Sequence, residues 1–223
     1  WSSDVCSSDL LGHGDGTFAE ARPVAAGKGA GDVTVADVDG DGRIDLLTAD
    51  FTDNTVSVLL GRDDGTFASQ QSAPSPAPDM RLYSVTAADL NGDGRPDVVT
   101  ANKGDNSVSV LLSNPDGSFQ TRQTFPAGPT PNAAAVADIS GDGIPDIVAS
   151  SYTESSVSVL LGNGDGTFAA ARSFATGFTT YNLILADVSG DGSPDIVTAN
   201  NNTTVSVLVS NRDGTFQSQH TFA

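Results

Sequence analysis

The chain has 223 residues, a formal net charge of -18 and a sequence pI near 4.1, because 28 acidic residues oppose only 10 basic ones. Such a charge would repel nucleic acid and anionic membranes, so we expect binding to neither. No stretch approaches the roughly 18 consecutive apolar residues of a membrane span, which predicts no membrane insertion. The single cysteine, Cys6, excludes an intramolecular disulfide.

The first ten residues, WSSDVCSSDL, differ from the rest of the chain and contain its only Trp and Cys. Their VCSSDL portion resembles the translation of a sequencing adapter, so we predict that residues 1–10 are a non-native segment. The alternative is a diverged native strand. Similarity to the rest begins with LLGHGDGTF from Leu10, which superposes without gaps on LLGNGDGTF from Leu160. Residues 11–24 are therefore interpreted as half a repeat.

Four complete repeats follow, marked by ADVDGDGRIDLL from Ala36, ADLNGDGRPDVV from Ala88, ADISGDGIPDIV from Ala137 and ADVSGDGSPDIV from Ala186. We place them at about 31–73, 82–125, 132–175 and 181–223, with a period near fifty residues. The first period is slightly longer, and its Pro-rich stretch SAPSPAPD is interpreted as an insertion in a surface loop.

Each repeat contains the pattern of four short strands. One ends at the first Asp of the ADxxGDG segment, one leaves its last Asp, and a third is the VSVLL run, which alternates and is β-branched. A DG dipeptide then predicts a hairpin turn, and a fourth strand is expected to start at Phe67, Phe119, Phe168 or Phe216.

Four strands per repeat of about 40 to 50 residues are typical of a β-propeller blade, whose apolar faces are buried when neighbouring sheets stack around an axis. The sequence therefore predicts an all-β fold, a β-propeller of four-stranded antiparallel blades. Propellers contain roughly 4 to 8 blades. We interpret residues 11–223 as a single propeller region and as a fragment of a larger propeller.

The ADxxGDG segments predict four loops that bind calcium, about one ion each. Calcium takes six to eight hard oxygen ligands, and alternate residues of a curled loop can point such oxygens inward. Glycines such as Gly40 and Gly42 allow the curl. The predicted ligands use side chains at positions 1, 3, 5 and 9 and the backbone carbonyl at position 7: Asp37, Asp39, Asp41, Arg43 and Asp45; Asp89, Asn91, Asp93, Arg95 and Asp97; Asp138, Ser140, Asp142, Ile144 and Asp146; Asp187, Ser189, Asp191, Ser193 and Asp195.

The first loop carries four carboxylates and the others three, so we expect the Asp37 loop to bind calcium most tightly. Magnesium fits less well because it prefers a rigid octahedron, and zinc because no Cys or His lies in the loops. Ordinary Asp/Gly turns remain the alternative without a metal. An EF-hand is disfavoured because position 12 is Thr48, Thr100, Ala149 or Thr198 where that motif needs Glu.

From Leu10 to Ala223, these loops and strands resemble the FG-GAP and VCBS repeat family, the integrin-α-like propeller repeats. The resemblance implies a propeller, commonly of about seven blades, with calcium in a hairpin loop between the first two strands of each blade. Members of this family include adhesion ectodomains, lectins and non-catalytic modules of secreted enzymes. Thrombospondin type 3 stalks also use aspartate strings, but they lack the intervening VSVLL strands.

We expect a calcium-binding module of a secreted or cell-surface protein, of bacterial origin, which binds protein or glycan on one propeller face and is fused to further domains. The alternatives are a lectin and a propeller of a polysaccharide lyase or hydrolase. We expect no catalysis, because His13 and His220 are isolated and no GxSxG motif occurs. Clustering of Tyr83, Tyr152, Phe178 and Tyr181 on one face would favour a lectin over a scaffold.

Overall fold

The computed structural model describes residues 7–9, 13–20, 22–74 and 81–223. This part of the chain is built from β-strands and turns. Within it, no helix is long and apolar enough to cross a membrane. Residues 1–6 and 10 of the N-terminal segment, and most of the Pro-rich insertion, lie outside the described residues.

The first two strands, β1 (Ser7–Asp9) and β2 (Arg22–Val24), form a two-stranded antiparallel sheet. Four four-stranded antiparallel sheets follow, here called blades 1 to 4. Blade 1 contains β3 (Ala30–Ala36), β4 (Asp45–Asp50), β5 (Thr55–Leu59) and β6 (Gln71–Pro74); blade 2 contains β7 (Leu82–Ala88), β8 (Asp97–Asn102), β9 (Ser107–Leu111) and β10 (Gln123–Pro126); blade 3 contains β11 (Pro131–Ala137), β12 (Asp146–Ser151), β13 (Ser156–Leu160) and β14 (Arg172–Ala175); blade 4 contains β15 (Thr180–Ala186), β16 (Asp195–Asn200), β17 (Val205–Leu208) and β18 (His220–Phe222).

Strands that are consecutive in sequence are neighbours in every blade, so each blade is a simple antiparallel meander. The first strands β3, β7, β11 and β15 contact one another in succession and form the inner strands of the stack. The sequence therefore predicted the fold class correctly: the chain is an all-β protein with propeller blades of four antiparallel strands.

The hydrophobic core lies between the blades. We call the side of a blade that faces the preceding blade its leading face, and the opposite side its trailing face. Val56 and Val58 on the trailing face of blade 1 pack in one cluster with Val85 and Val98 on the leading face of blade 2. Equivalent clusters join blades 2 and 3 and blades 3 and 4. Because both faces are covered, β8 and β12 are buried along their entire length.

The two ends of the stack expose residues that are buried elsewhere. On the leading face of blade 1, Val33 is 52% exposed, whereas Val85 at the same position of blade 2 is 4% exposed. On the trailing face of blade 4, Val205 is 40% exposed, whereas Val157 in blade 3 is 0% exposed. Each end therefore presents an apolar sheet face that none of the described blades covers.

The predicted start of the fourth strand was wrong. Phe67, Phe119, Phe168 and Phe216 form isolated bridges with Gly61, Ser113, Gly162 and Ser210, and the strands begin four residues later, at Gln71, Gln123, Arg172 and His220. The pairing register shifts by one residue between bridge and strand in every blade. One extra residue on the outer strand makes a bulge, which interrupts the ladder at this point.

Candidate functional site

The four aspartate loops occupy residues 37–45, 89–97, 138–146 and 187–195, and each joins the first strand of a blade to the second. Their glycines adopt the left-handed conformation, as predicted: Gly40 and Gly42 have φ values of 76° and 87°, and the other loops repeat these values closely. Residues with a β-carbon rarely adopt this conformation, so the glycines allow the loop to curl around its first aspartate.

The first aspartate organises each loop through backbone hydrogen bonds. Asp37 Oδ1 accepts from the amides of Gly40 (2.8 Å) and Asp41 (3.0 Å), and Asp37 Oδ2 accepts from the amide of Gly42 (2.8 Å). Asp89, Asp138 and Asp187 accept the same three bonds in their own loops. In the fourth loop the amide of Gly192 contributes most to lowering the pKa of Asp187. In that loop the bonds favour the charged form of Asp187.

The last aspartate of each loop is buried and connects the loop to the hairpin that follows the third strand. Asp45 Oδ2 accepts from the amide of Val38 (2.9 Å), and its Oδ1 accepts from the amide of Gly61 (2.8 Å). The same pair of bonds holds Asp97, Asp146 and Asp195. Burial raises the pKa of Asp45, Asp97 and Asp146 because the charged form loses solvation.

Three carboxylates meet in the first loop. Asp37, Asp39 and Asp45 each offer an oxygen, and these oxygens all lie within 4.8 Å of one another. Oxygens that share one calcium ion at 2.3 to 2.6 Å are at most about 5 Å apart, so this triad fits the hard-oxygen ligand set of calcium. Burial raises the pKa of Asp39, and repulsion from Asp41 and Asp37 adds to the rise.

The third position of the other loops differs chemically. Asn91 Oδ1 accepts from the amide of Asp93 (3.0 Å), while the hydroxyls of Ser140 and Ser189 donate to the first aspartate of their loops at 3.4 Å. These loops offer two carboxylates and a neutral oxygen where the first offers three carboxylates. The predicted order of affinity among the loops rests on this difference.

The structure does not bring position 5 into the triad. Asp41, Asp93, Asp142 and Asp191 each accept a bond from the amide of position 7, at Arg43, Arg95, Ile144 and Ser193. Three of them also form ion pairs: Asp41 with Arg43, Asp93 with Arg95 (2.6 Å), and Asp191 with Arg212 (3.4 Å). A cation that used a position-5 carboxylate in these three loops would compete with an arginine.

At the opposite end of the blades, four aromatic rings and a lysine form a row. Tyr83 contacts Phe51 (ring centroids 5.1 Å apart), and Tyr152 contacts Tyr181 (5.3 Å). Lys103 Nζ joins the two pairs, because it lies 4.3 Å from the centroid of Tyr83 and 4.4 Å from that of Tyr152. We call these five residues the aromatic row. A hydrogen bond with Tyr152 raises the pKa of Tyr181.

Of the four aromatic residues singled out in the sequence, three belong to the aromatic row, and Phe178 does not contribute a ring contact to it. Phe51 and Lys103 were missed. A signal for them exists, since Phe51, Lys103 and Tyr152 each stand fourteen residues after the first aspartate of their loops. Aligning the repeats at this position would have placed them together. His13 and His220 are both exposed.

Comparisons with known proteins agree with this architecture. The family model for the FG-GAP-like repeat matches residues 37–100, 89–149 and 141–198. No match was found among curated protein sequences.

Three solved structures are similar to the chain. A lectin from Agrocybe aegerita, studied for its recognition of non-reducing terminal N-acetylglucosamine, is 25% identical over 96% of this chain and 60% of its own, with a TM-score of 0.64. A protein of unknown function from Desulfotomaculum acetoxidans is 16% identical over 98% of this chain and 64% of its own (TM-score 0.72). The V. cholerae biofilm matrix protein Bap1 is 17% identical over 85% of this chain and 28% of its own (TM-score 0.53). The last two likenesses concern the fold alone, and the chain spans less than two thirds of each protein.

Proposed function

Because the chain belongs to the FG-GAP-like repeat family, we propose that it is a calcium-stabilised propeller module of a secreted or cell-surface protein and that it binds glycan or protein. The observation that carries the calcium part is the triad of Asp37, Asp39 and Asp45, whose oxygens lie within 4.8 Å of one another. Bound calcium would neutralise their mutual repulsion and hold the loop closed.

Calcium would have a structural role in this module. An ion that binds only the folded state stabilises that state by mass action, by about 2.7 kcal/mol for each site when free calcium is 100 times the dissociation constant. Extracellular modules bind calcium with dissociation constants of about 0.1 to 1 mM. Loops with such dissociation constants would bind calcium where its free concentration is of the same order or higher, as it is outside cells, and this agrees with the proposed localisation.

A binding role is supported by the similarity to the lectin of Agrocybe aegerita, which recognises non-reducing terminal N-acetylglucosamine. The proposal includes no catalytic role. The carboxylates of the loops are held by backbone amides, and the exposed His13 and His220 lie in a hairpin tip and in the outer strand β18. A general base needs a position within hydrogen-bond reach of a reacting group, and neither histidine shares a site with the carboxylate triad.

Calorimetric titration with calcium and thermal unfolding, in excess calcium and in chelator, test the proposal. We expect several bound ions and a higher melting temperature in calcium. Asp39→Asn gives the first loop the third-position residue of the second, so its affinity should fall; Asn91→Asp should raise the affinity of the second loop. Asp64→Asn is the matched control, because it removes a carboxylate of a hairpin turn in the same blade. No heat of binding and equal melting temperatures would reduce the aspartate loops to ordinary turns.

A further inference from the structure

The bulged ends of the inner strands gather around one cavity. Each inner strand shifts register near its start, at Ala30/Asp32, Leu82/Ser84, Pro131/Ala134 and Thr180/Asn182. A bulge redirects a side chain from the alternation of the strand. Residues at these irregularities line a cavity of about 230 Å³ to which all four blades contribute: Gly31, Asp32, Tyr83, Ser84, Asn132, Ala133, Tyr181 and Asn182.

The aromatic row borders this cavity, since Tyr83 and Tyr181 belong to both. Tyr181 is exposed, and Tyr83, Lys103 and Tyr152 are partly exposed. Aromatic rings have an apolar body and, in tyrosine, a hydroxyl that seeks a polar partner. A pyranose ring presents the complementary surface, with a face of C–H groups and a rim of hydroxyls.

The polar lining of the cavity retains capacity for hydrogen bonds. Asn132 donates through Nδ2 to the Tyr181 carbonyl (2.8 Å), and Asn182 accepts through Oδ1 from the Leu183 amide (2.8 Å). Among the described residues, no hydrogen bond uses Asn132 Oδ1 or Asn182 Nδ2, so both atoms are available to a ligand. Ligand sites commonly combine apolar rings with a few convergent polar groups of this kind.

Charge and size restrict the ligand. Asp32 lines the cavity and accepts from the amide of Val85 (3.0 Å), so an acidic sugar would meet a carboxylate. The ammonium of Lys103 lies against two tyrosine rings, where cation–π attraction holds it. A volume of about 230 Å³ corresponds to about eight water molecules at about 30 Å³ each, which suits one sugar ring.

We propose that this cavity and the aromatic row form a binding site for the terminal ring of a neutral glycan, a hexose or N-acetylhexosamine. The site lies at the end of the blades opposite the aspartate loops. This inference rests on the proposed function of the chain as a binding module and names its ligand class and residues. Calcium would act at a distance, through the stability of the blades.

Isothermal titration of the whole calcium-loaded chain with an N-acetylglucosamine-terminated trisaccharide tests the site. Tyr181→Ala and Lys103→Met should each weaken binding about tenfold, as expected for central aromatic and cationic contacts. Phe222→Ala is the control, because it removes an exposed ring from the outer strand of blade 4, and should bind like the original chain. A sialic-acid-terminated trisaccharide should bind at least about tenfold more weakly.

Three results would overturn the inference. The first is no binding of the neutral trisaccharide, the second is binding by Tyr181→Ala and Lys103→Met as tight as that of the original chain, and the third is tighter binding of the acidic trisaccharide than of the neutral one. Unchanged melting temperatures of the two variants would show that a loss of binding does not reflect unfolding. The calcium titration is independent of these measurements. A chain that binds calcium but no glycan would refute the glycan site and keep the calcium part of the proposed function. A chain that binds glycan but no calcium would keep the glycan site and refute the calcium part.

Discussion

Asp50 is a fully buried carboxylate at the end of β4, where blades 2 and 4 have Asn102 and Asn200. It accepts hydrogen bonds from the hydroxyls of Thr48, Thr55 and Ser57. The amide of Asn102 fills the same place, with its Oδ1 accepting from Thr100 (2.8 Å) and its Nδ2 donating to Ser109 (2.7 Å). The position therefore accepts a neutral amide without rearrangement, and the charge of Asp50 has a solvation cost.

Burial raises the pKa of Asp50 above its ordinary value of 3.8. A carboxyl group whose pKa is raised in the folded state destabilises the fold when it is ionised. This cost decreases once the pH falls below the raised pKa and is absent below the ordinary pKa. We therefore expect Asp50→Asn to increase the free energy of unfolding at neutral pH by about 1 kcal/mol. The gain should shrink as the pH is lowered toward about 4.

Urea unfolding in calcium-free buffer, at several pH values, measures this difference. Asn102→Asp is the reciprocal variant and should lose stability at neutral pH. A loss of stability in Asp50→Asn at neutral pH would show instead that the three hydroxyl donors compensate the buried charge fully.

In blades 2 to 4 the hairpin between the third and fourth strands contacts the preceding blade. The ring of Phe168 in blade 3 contacts that of Phe125 in blade 2 (centroids 5.3 Å), and Phe216 in blade 4 contacts Phe174 in blade 3 (5.0 Å). In blades 3 and 4 the phenylalanine at the bulge therefore packs on the neighbouring blade. The hairpin thus adds a contact between adjacent blades to the contacts of their sheet faces.

We expect Phe168→Ala to destabilise the chain by about 3 kcal/mol, because it removes a buried ring and leaves a cavity between blades 2 and 3. Phe18→Ala changes the equivalent residue of the half repeat, which is exposed, and should cost at most about 0.5 kcal/mol. Chemical denaturation of both variants measures the contrast. Equal losses would contradict the role of the hairpin as a contact between blades.

Local pattern and repetition were enough to predict the strands, the antiparallel sheets and the curled aspartate loops. The β-branched alternation of VSVLL and the obligatory glycines at Gly40 and Gly42 are properties of the local chain. The bulge before Gln71 was not predictable in this way, because nothing in the local pattern marks the extra residue between Phe67 and Gln71. The aromatic row depends likewise on contacts between blades, such as Lys103 with Tyr152, which no single repeat contains.

On the scale of the whole molecule, stability comes from the contacts between sheets. Clusters of buried residues join blade 1 to 2, 2 to 3 and 3 to 4, so each blade contributes stability chiefly through its neighbours. The same residue type therefore contributes more to the free energy of unfolding in the middle of the stack than at its ends.

Val157 and Val205 allow a direct comparison, since they occupy the same position of blades 3 and 4. Val157→Asp should cost at least about 3 kcal/mol or prevent folding, because it buries an unpaired charge. Val205→Asp should change the free energy of unfolding by at most about 0.5 kcal/mol. Should Val157→Asp fail to fold, the pair Val157→Ala and Val205→Ala keeps the contrast measurable, with an expected loss of about 2 kcal/mol for the former only. Equal effects at the two positions would contradict the exposure of the trailing face of blade 4.

The exposed faces at the two ends differ from each other, with Val33 and Val35 at one and Val188 and Val205 at the other. If copies of the chain met through these faces, the trailing face of blade 4 in one copy would pack on the leading face of blade 1 in the next. Such a contact is heterologous: it produces a ring if the rotation between copies closes, and an open filament if it does not. Because the two end faces differ, copies of the chain that assemble through them would all be oriented in the same direction along the assembly.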